Sequence, residues 1–168
     1  MLRKTISGLN KPKQFVATGL VVDEKCERVL LVNHKKLKTW LPPSGHIDVE
    51  KDELPDHCVV REVMEETGLE VEIISEAFDV ASAKVETLHS PLVVQLEEID
   101  EFHQHVDFQY LCKIVGGKLH EGIREEHEEA RWFDELSLKE SEALQNDVRE
   151  NAFLALDKAR ELKERGLF

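Results

Sequence analysis

Three glutamates at helical spacing are the side chains of this sequence best suited to chemistry. Residues 61–69 read REVMEETGL, and at about 100° per residue Glu65 and Glu66 fall roughly 60° and 40° to either side of Glu62 on a helix. Like charges at these spacings destabilise a helix, and two of them lie near its C-terminus, where the macrodipole disfavours negative charge. Mg²⁺ would reverse these effects, because it binds carboxylate oxygens together with water and phosphate. The segment therefore predicts either a magnesium site or a solvated acidic surface.

A helix over residues 54–67 would position these glutamates. Pro55 is tolerated in the first turn of a helix, and Gly68 stands just past the end, where glycine is favoured. The arc opposite the glutamates is mostly apolar and is expected to pack into a core; its residues are Val59, Val60, Val63, Met64 and Thr67. Ahead of the helix, residues 42–45 read PPSG and break any regular structure, so the stretch to Lys51 predicts a loop.

Segments rich in β-forming residues surround this helix. Residues 14–22 and 28–34, separated by the turn-like residues 23–25, predict an antiparallel hairpin. Four further strands are predicted over 71–75, 91–99, 105–115 and 129–133. From about residue 137 to 165 one C-terminal helix is predicted by apolar residues at every third or fourth position: Leu144, Val148, Ala152, Leu156 and Ala159. This order predicts an α+β fold, an α-β-α sandwich in which helices flank a mixed β-sheet.

Length, charge and cysteine content restrict the class of protein. The 168 residues suit a single domain spanning residues 1–168, and the net charge of −13 argues against general binding to nucleic acid or to a membrane surface. Residues 1–13 are basic and predict a loose arm or an edge element. The three cysteines are widely spaced, and no apolar run reaches the roughly 20 residues of a membrane span. We therefore expect a cytoplasmic protein with reduced thiols.

Around the glutamates the sequence resembles the Nudix box, the signature of the Nudix hydrolase family, which reads GX₅EX₇REUXEEXGU with U apolar. From residue 53 onward every specified position is present: Glu53, Arg61, Glu62, Val63, Glu65, Glu66, Gly68 and Leu69. Residues 34–48 and 126–133 are also similar to family segments, namely the lead-in to the box and a final acidic loop followed by a tryptophan-bearing strand. The resemblance covers residues 18–133 and implies a Nudix-like fold.

The loop ahead of the box departs from the signature. Seven residues rather than five separate Gly45 from Glu53, and Lys51 stands where an unshifted count would place the glutamate. We attribute the difference to a two-residue insertion, since loops tolerate changes of length. The Pro-Gly-Gly usual in the family is replaced by Pro43-Ser44-Gly45.

The resemblance also implies roles for individual residues. Mg²⁺ or Mn²⁺ would be bound by the box glutamates and by a backbone carbonyl just before the box glycine, which here means Glu62, Glu65, Glu66 and Ser44. Arg61 and Glu53 would hold these carboxylates in position. The family brings in one more carboxylate, as metal ligand or general base, from the loop before the last strand. We assign that role to Glu126, with Glu125 and Glu128 as competing choices; the general base is then Glu62 or Glu126.

Histidine and tryptophan side chains are the candidates for substrate contact. His46, His103 and His105 could contact phosphates. His105 alternates with Asp107 and Gln109 along one strand face, so these three could line a pocket. Trp40 could stack on a nucleobase, with a place in the core as the alternative.

The function implied is metal-dependent hydrolysis of the diphosphate linkage in a nucleoside diphosphate joined to another moiety. Nucleotide sugars, ADP-ribose-like compounds and nucleoside triphosphates all remain open as substrates. An isoprenoid diphosphate isomerase-like enzyme would need a catalytic cysteine, and a non-catalytic Nudix-like nucleotide-binding or regulatory module would often lack box glutamates. An acidic helical interaction protein is disfavoured by the predicted strands. A homodimer is open, because the C-terminal helix could pack on its own domain or on a partner.

Overall fold

A mixed β-sheet with helices on both faces forms the framework. The computed structural model describes residues 11–51, 53–76, 84–120 and 127–168. The described strands are β1 (Lys13–Val22), β2 (Arg28–His34), β3 (Thr39–Leu41), β4 (Ser44–His46), β5 (Leu69–Ile73), β6 (Val93–Glu98), β7 (Gln104–Gly117) and β8 (His127–Asp134). The helices are a short 3₁₀ helix (Val49–Lys51), α1 (Pro55–Thr67), α2 (Glu135–Glu140) and α3 (Asn146–Glu164).

Strand β1 lies at the centre of the sheet. It pairs in parallel with β7 over its whole length, from Lys13 opposite Gln104 to Val22 opposite Lys113. Strand β7 pairs antiparallel with β6 along its first half and with β5 along its second. The sheet is therefore mixed, as the order of elements predicted, and the acidic helical interaction protein is excluded as an alternative.

The predicted hairpin is correct in its direction and wrong in its extent. Strands β1 and β2 are antiparallel, and the carboxylate of Asp23 accepts the backbone N–H of Glu27 at 2.8 Å in the turn. Their register, however, joins only Val22 to Val29. The hairpin is short because other strands take its pairing positions: β4 pairs with β1 where a longer hairpin would continue, and β2 pairs with β3 and β8 instead.

The loop predicted between Pro42 and Lys51 contains regular structure. Strand β4 pairs with β1, so that Ser44 lies opposite Thr18, and the carbonyl of Pro43 accepts the N–H of Gly19 at 2.8 Å. The 3₁₀ helix follows. A three-residue strand has too short a pattern to be recognised, and it exists here because the neighbouring strand supplies its hydrogen bonds.

The C-terminal region is two helices rather than the single predicted one. The chain breaks between α2 and α3, and the guanidinium of Arg149 bonds to carbonyl oxygens in this region, Leu138 at 2.7 Å and Ser141 at 2.9 Å. The predicted apolar positions are all buried against the sheet: Leu144, Val148, Ala152, Leu156 and Ala159. Helix α3 therefore packs on its own domain, on the sheet face opposite α1.

The described end of the basic arm belongs to the sheet. Residues 1–10 lie outside the described residues, whereas Lys11 forms an ion pair with Glu98 at the end of β6, and Lys13 begins β1. In the described parts of the chain, no helix has both the length and the apolar character needed to cross a bilayer.

Candidate active site

Helix α1 carries the three glutamates, as predicted. It begins at Pro55, and Gly68 ends it in the left-handed conformation, with φ of 76° and its N–H bonded to the carbonyl of Met64 at 2.9 Å. Its buried face contains Val59 and Val63, which pack on β1 at Gly19, where any side chain would collide with Val63. Val60 and Met64, expected in the core, are 38% and 43% exposed because α1 rests on the sheet along a narrower stripe.

Two of the glutamates turn toward the backbone of β4. The carboxylate of Glu62 lies directly over Gly45, in space that a Cβ atom at that position would occupy. Glu66 accepts the backbone N–H of Ser44 at Oε2 over 3.2 Å. The side chain of Glu65 is 60% exposed. The box loop and the box helix are thus in contact through Glu62 and Glu66, and the absence of a side chain at Gly45 makes this contact possible.

Arg61 connects the acidic residues of the site. Its guanidinium donates to both carboxylate oxygens of Glu53, at 2.7 and 3.0 Å, to Glu62 at 2.6 Å and to Glu65 at 3.3 Å. The bonds to Arg61 lower the pKa of Glu53 to about 2, although burial acts in the opposite direction. For Glu62, burial is the larger influence and raises the pKa, while Arg61 opposes it. Arg61 therefore holds Glu62 by a direct ion pair, and Glu53 holds Arg61.

The longer loop still delivers Glu53 to Arg61. The 3₁₀ helix shortens the path, Lys51 pairs with Asp48 at 2.6 Å, and the N–H of Asp48 donates to Glu53 at 2.8 Å. This geometry agrees with an insertion of two residues that leaves the position of Glu53 unchanged. Lys51 is exposed, and the ion pair it forms is with Asp48.

The donor atoms suit a hard divalent cation. Carboxylate oxygens and a backbone carbonyl are the ligands that Mg²⁺ prefers, and the missing side chain at Gly45 lets the Glu62 carboxylate lie against the backbone of β4. Within the described ranges, however, no group of three His, Cys, Asp or Glu side chains is already gathered as a metal site. Glu126, the expected additional ligand, lies outside the described residues, as does Glu125. The donor chemistry of the described side chains fits the cation.

A cleft opens in front of α1 and β4. The residues that line it come from β4, the longer loop and α1: Ser44, Gly45, His46, Ile47, Asp48, Val49, Glu50, Lys51, Glu53, His57, Arg61, Glu62 and Glu65. All of the box residues predicted to orient or bind a metal, except Glu66, are among them. The cleft therefore brings together most of the box residues that the sequence predicted for metal binding.

The predicted histidines are brought together beside this cleft. The ring of His46 lies edge-on to that of His105 at 5.0 Å, and His103 lies 5.3 Å from His105. The side-chain oxygen of Gln14 bonds to His46 at 3.0 Å and to His105 at 3.3 Å. Burial, with the nearby His46 and His103, lowers the pKa of His105 to about 4. His105 is therefore neutral at physiological pH, and its bond to the Gln14 oxygen uses the one N–H of the neutral ring.

Trp40 lies in the core. It is 9% exposed and packs edge-to-face on Phe133 at 5.1 Å, while the guanidinium of Arg131 lies 5.0 Å from its ring centre. It does not belong to the cleft lining found among the described residues. The structure thus gives Trp40 the core position that was the alternative to stacking on a base.

A buried polar cluster lies on the sheet face toward α3, and the sequence showed only part of it. Asp107 accepts the hydroxyl of Thr18 at 2.8 Å and the amide Nε2 of Gln109 at 2.7 Å. Burial, with a smaller contribution from Glu97, raises the pKa of Asp107 to about 7. The alternation of His105, Asp107 and Gln109 predicted their common face. Thr18 was missed, although a threonine within an apolar central strand was the available signal.

Comparison with known proteins places these features in context. The family model described as NUDIX domain matches residues 13–155. A solved hydrolase of the NUDIX family from Clostridium perfringens is 30% identical, with a TM-score of 0.74 over 87% of this chain and 97% of that one. An ADP-ribose pyrophosphatase from Streptococcus suis, 21% identical, shares the fold with a TM-score of 0.58 over 88% of this chain and 92% of that one.

A curated relative matches over a shorter segment. The mRNA-decapping enzyme subunit 2 of Arabidopsis thaliana is 43% identical over 56 residues, which is 33% of this chain and 14% of that protein. The chain therefore corresponds to a small part of that relative.

Proposed function

This chain belongs to the Nudix hydrolase family, and we propose that it cleaves the diphosphate linkage of a nucleoside diphosphate joined to another moiety, with Mg²⁺ or Mn²⁺ as its cofactor. The observation that supports this most directly is the convergence of Glu62 and Glu66 on the backbone of Ser44 and Gly45. Carboxylates held against a glycine-containing strand at the wall of a cleft suit a metal-bound diphosphate better than they suit a solvated surface.

The residues proposed to hold the cation are those of the box and the final acidic loop, namely Glu62, Glu65, Glu66, the carbonyl of Ser44, and Glu126. When bound, the cation supplies positive charge to the diphosphate oxygens and lowers the pKa of a coordinated water. Its charge also accounts for the binding of a polyanion by a protein whose net charge is −13.

Side chains of the protein orient the carboxylates of the proposed metal site and accept the proton of the attacking water. Arg61 keeps Glu62 turned toward β4, and Glu53 prevents Arg61 from moving, because its two oxygens take two guanidinium N–H groups. The proton of the attacking water passes to a carboxylate, Glu62 or Glu126. His46 and His105 are proposed to contact phosphate oxygens at the edge of the cleft, where each ring would exchange its bond to the Gln14 oxygen for one to phosphate.

The three cysteines support the same assignment. No disulfide joins the three cysteines, and all of them are buried: Cys26, Cys58 and Cys112. Burial raises the pKa of the Cys58 thiol to about 12. A buried, protonated thiol is poorly suited to the catalytic role that an isoprenoid diphosphate isomerase-like enzyme would require. Reduced buried thiols also agree with the proposed cytoplasmic location.

The test is a hydrolysis screen with Mg²⁺ or Mn²⁺ over ADP-ribose, nucleotide sugars, dinucleoside polyphosphates and nucleoside triphosphates. We expect metal-dependent release of a nucleotide product, lowered at least about 100-fold in Glu66→Gln. Glu70→Gln is the matched control, because Glu70 is the next glutamate along the chain and faces Gly116 rather than β4. Turnover that is equal in Glu66→Gln and wild type would contradict the assignment.

Metal binding can be followed without turnover. Mn²⁺ should raise the melting temperature of the wild type and of Glu70→Gln by similar amounts, and that of Glu66→Gln by less, since a ligand that binds only the folded state stabilises it. Equal increases in all three proteins would show that the cation binds elsewhere.

A further inference from the structure

The side-chain oxygen of Gln109 is buried and has no hydrogen-bond donor among the described residues. The residue as a whole is 3% exposed, and the oxygen concerned is Oε1. A buried acceptor without a donor destabilises a protein, so such groups usually have a partner. The orientation of this amide is determined by Asp107, which accepts the Nε2 group and thereby leaves Oε1 facing away from it.

The surroundings of Gln109 are rich in acceptors. Asp107 lies beside it, and the half-buried Glu97 follows on β6, where its Oε1 accepts the amide of Gln95 at 2.6 Å. Asn151 on α3 donates to the side-chain oxygen of Gln95 at 3.0 Å. The Oε1 atom of Gln109 receives no such donor from the described residues, so a ligand that satisfies it must bring a hydrogen-bond donor of its own.

The cluster is connected to the cleft through three adjacent strands. Ser44 on β4 lies opposite Thr18 on β1, and Thr18 lies opposite Gln109 on β7. Two inter-strand spacings separate Gln109 from Ser44, a distance of about 10 Å. Gln109 faces α3, whereas the carboxylates come from α1 on the other sheet face. A nucleotide whose phosphates lie at Ser44 would therefore pass around β4, which pairs only with β1 among the described strands, to bring its base to Gln109. Gln95, Glu97, His105 and Asn151 along the border are only half-buried, which leaves a route from solvent.

We propose that Gln109 is a specificity-determining residue, whose amide oxygen accepts hydrogen bonds from the base of the substrate, and that the acceptor-rich cluster selects guanine. The inference rests on the proposed function, since it concerns the nucleoside part of that substrate. Guanine offers adjacent donors, the ring N1–H and the 2-amino group, on one edge. Uracil offers one N–H between two carbonyl groups, which the carboxylates of Asp107 and Glu97 would repel.

The experiment compares GDP with IDP, which differ only by the 2-amino group of the base. Binding is measured by calorimetry at pH 8, above the pKa of about 7 of Asp107. We expect the wild type to bind GDP about 10- to 100-fold more tightly than IDP, because a site built to bond a donor rejects an analogue that lacks it. Gln109→Leu should bring the two affinities to within about threefold of each other.

Gln104→Leu is the matched control. Gln104 lies on the same strand, is 1% exposed, and likewise has a side-chain oxygen without a described partner. Its amide nitrogen, however, bonds to Glu98, and because an odd number of positions separates it from Gln109, it lies on the opposite face of the sheet. This variant should retain the wild-type preference for GDP. Gln109→Met replaces Gln109→Leu if the leucine variant fails to fold.

Two results would overturn the inference: a wild type that binds GDP and IDP equally, or a folded Gln109 variant that keeps the full preference. Failure of the proposed function has a different signature. In that case no metal-dependent hydrolysis is found, while the GDP preference and its loss in the Gln109 variant are still observed.

Discussion

Replacing Gly45 by alanine should separate activity from stability. Gly45 does not have a positive φ, so its backbone accepts an alanine without strain. The new methyl group would occupy the place of the Glu62 carboxylate, which is the mobile end of a side chain and can swing away. The direct consequence is therefore a displaced Glu62 whose ion pair with Arg61, 2.6 Å long in the wild type, is broken or stretched.

The two effects differ greatly in magnitude. Loss of a partly exposed ion pair lowers the free energy of unfolding by about 1 kcal/mol or less, and alanine in place of glycine returns about 0.5 kcal/mol through the unfolded state. The stability should thus change by less than about 1 kcal/mol. A catalytic carboxylate displaced by about 1 Å or more should lower kcat about 100-fold.

Urea unfolding and metal-dependent turnover measure the two effects. Gly116→Ala is the control, because its methyl group would meet the carboxylate of Glu70, with Oε2 at 2.5 Å, far from the cleft. That variant should keep its turnover, although it disturbs a glutamate in the same way. If Gly45→Ala retains kcat within about threefold of the wild type, the position of Glu62 over Gly45 has no catalytic importance.

Three further changes test other parts of the structure. Glu53→Gln should lower turnover, and it should lower the free energy of unfolding at pH 7 by about 1–2 kcal/mol. Because the folded pKa of Glu53 is depressed from 4.5 to about 2, the difference in unfolding free energy between wild type and variant should vanish as pH falls through that range in acid unfolding experiments. For Asp107 the pH dependence has the opposite sign, because its pKa is raised from 3.8 to about 7. The unfolding free energy of the wild type relative to Asp107→Asn should therefore fall as pH rises from 4 to 7. A difference that does not change with pH would contradict a buried carboxyl beside Glu97. Arg149→Leu should lower the melting temperature measurably and leave turnover unchanged, because the carbonyls of Leu138 and Ser141 lose their hydrogen-bond donor. An unchanged melting temperature would mean that water replaces the guanidinium.

The acidic helix could be predicted from the sequence because its information is local. The positions of Glu62, Glu65 and Glu66 on one face follow from the helical period, and Pro55 and Gly68 mark the ends within a single stretch of chain. The buried positions of α3 followed from the same period, although the break between α2 and α3 did not, because Arg149 stabilises it through contacts that cross the break.

The residues that α1 contacts depend on strand pairings between distant parts of the chain. Strand β4 has three residues and exists through its pairing with β1, so neither the contact of Glu62 with Gly45 nor the bond from Ser44 to Glu66 could be predicted. The row from Ser44 through Thr18 to Gln109 joins residues up to 91 positions apart through one parallel and one antiparallel pairing. Sequence periodicity reports which face of an element is apolar, but it carries no record of which strand lies beside it. That record comes from long-range contacts. Here the packing of α1 on β1 brings the carboxylates to β4, and strand pairing brings the buried amide of Gln109 within a nucleotide's length of them.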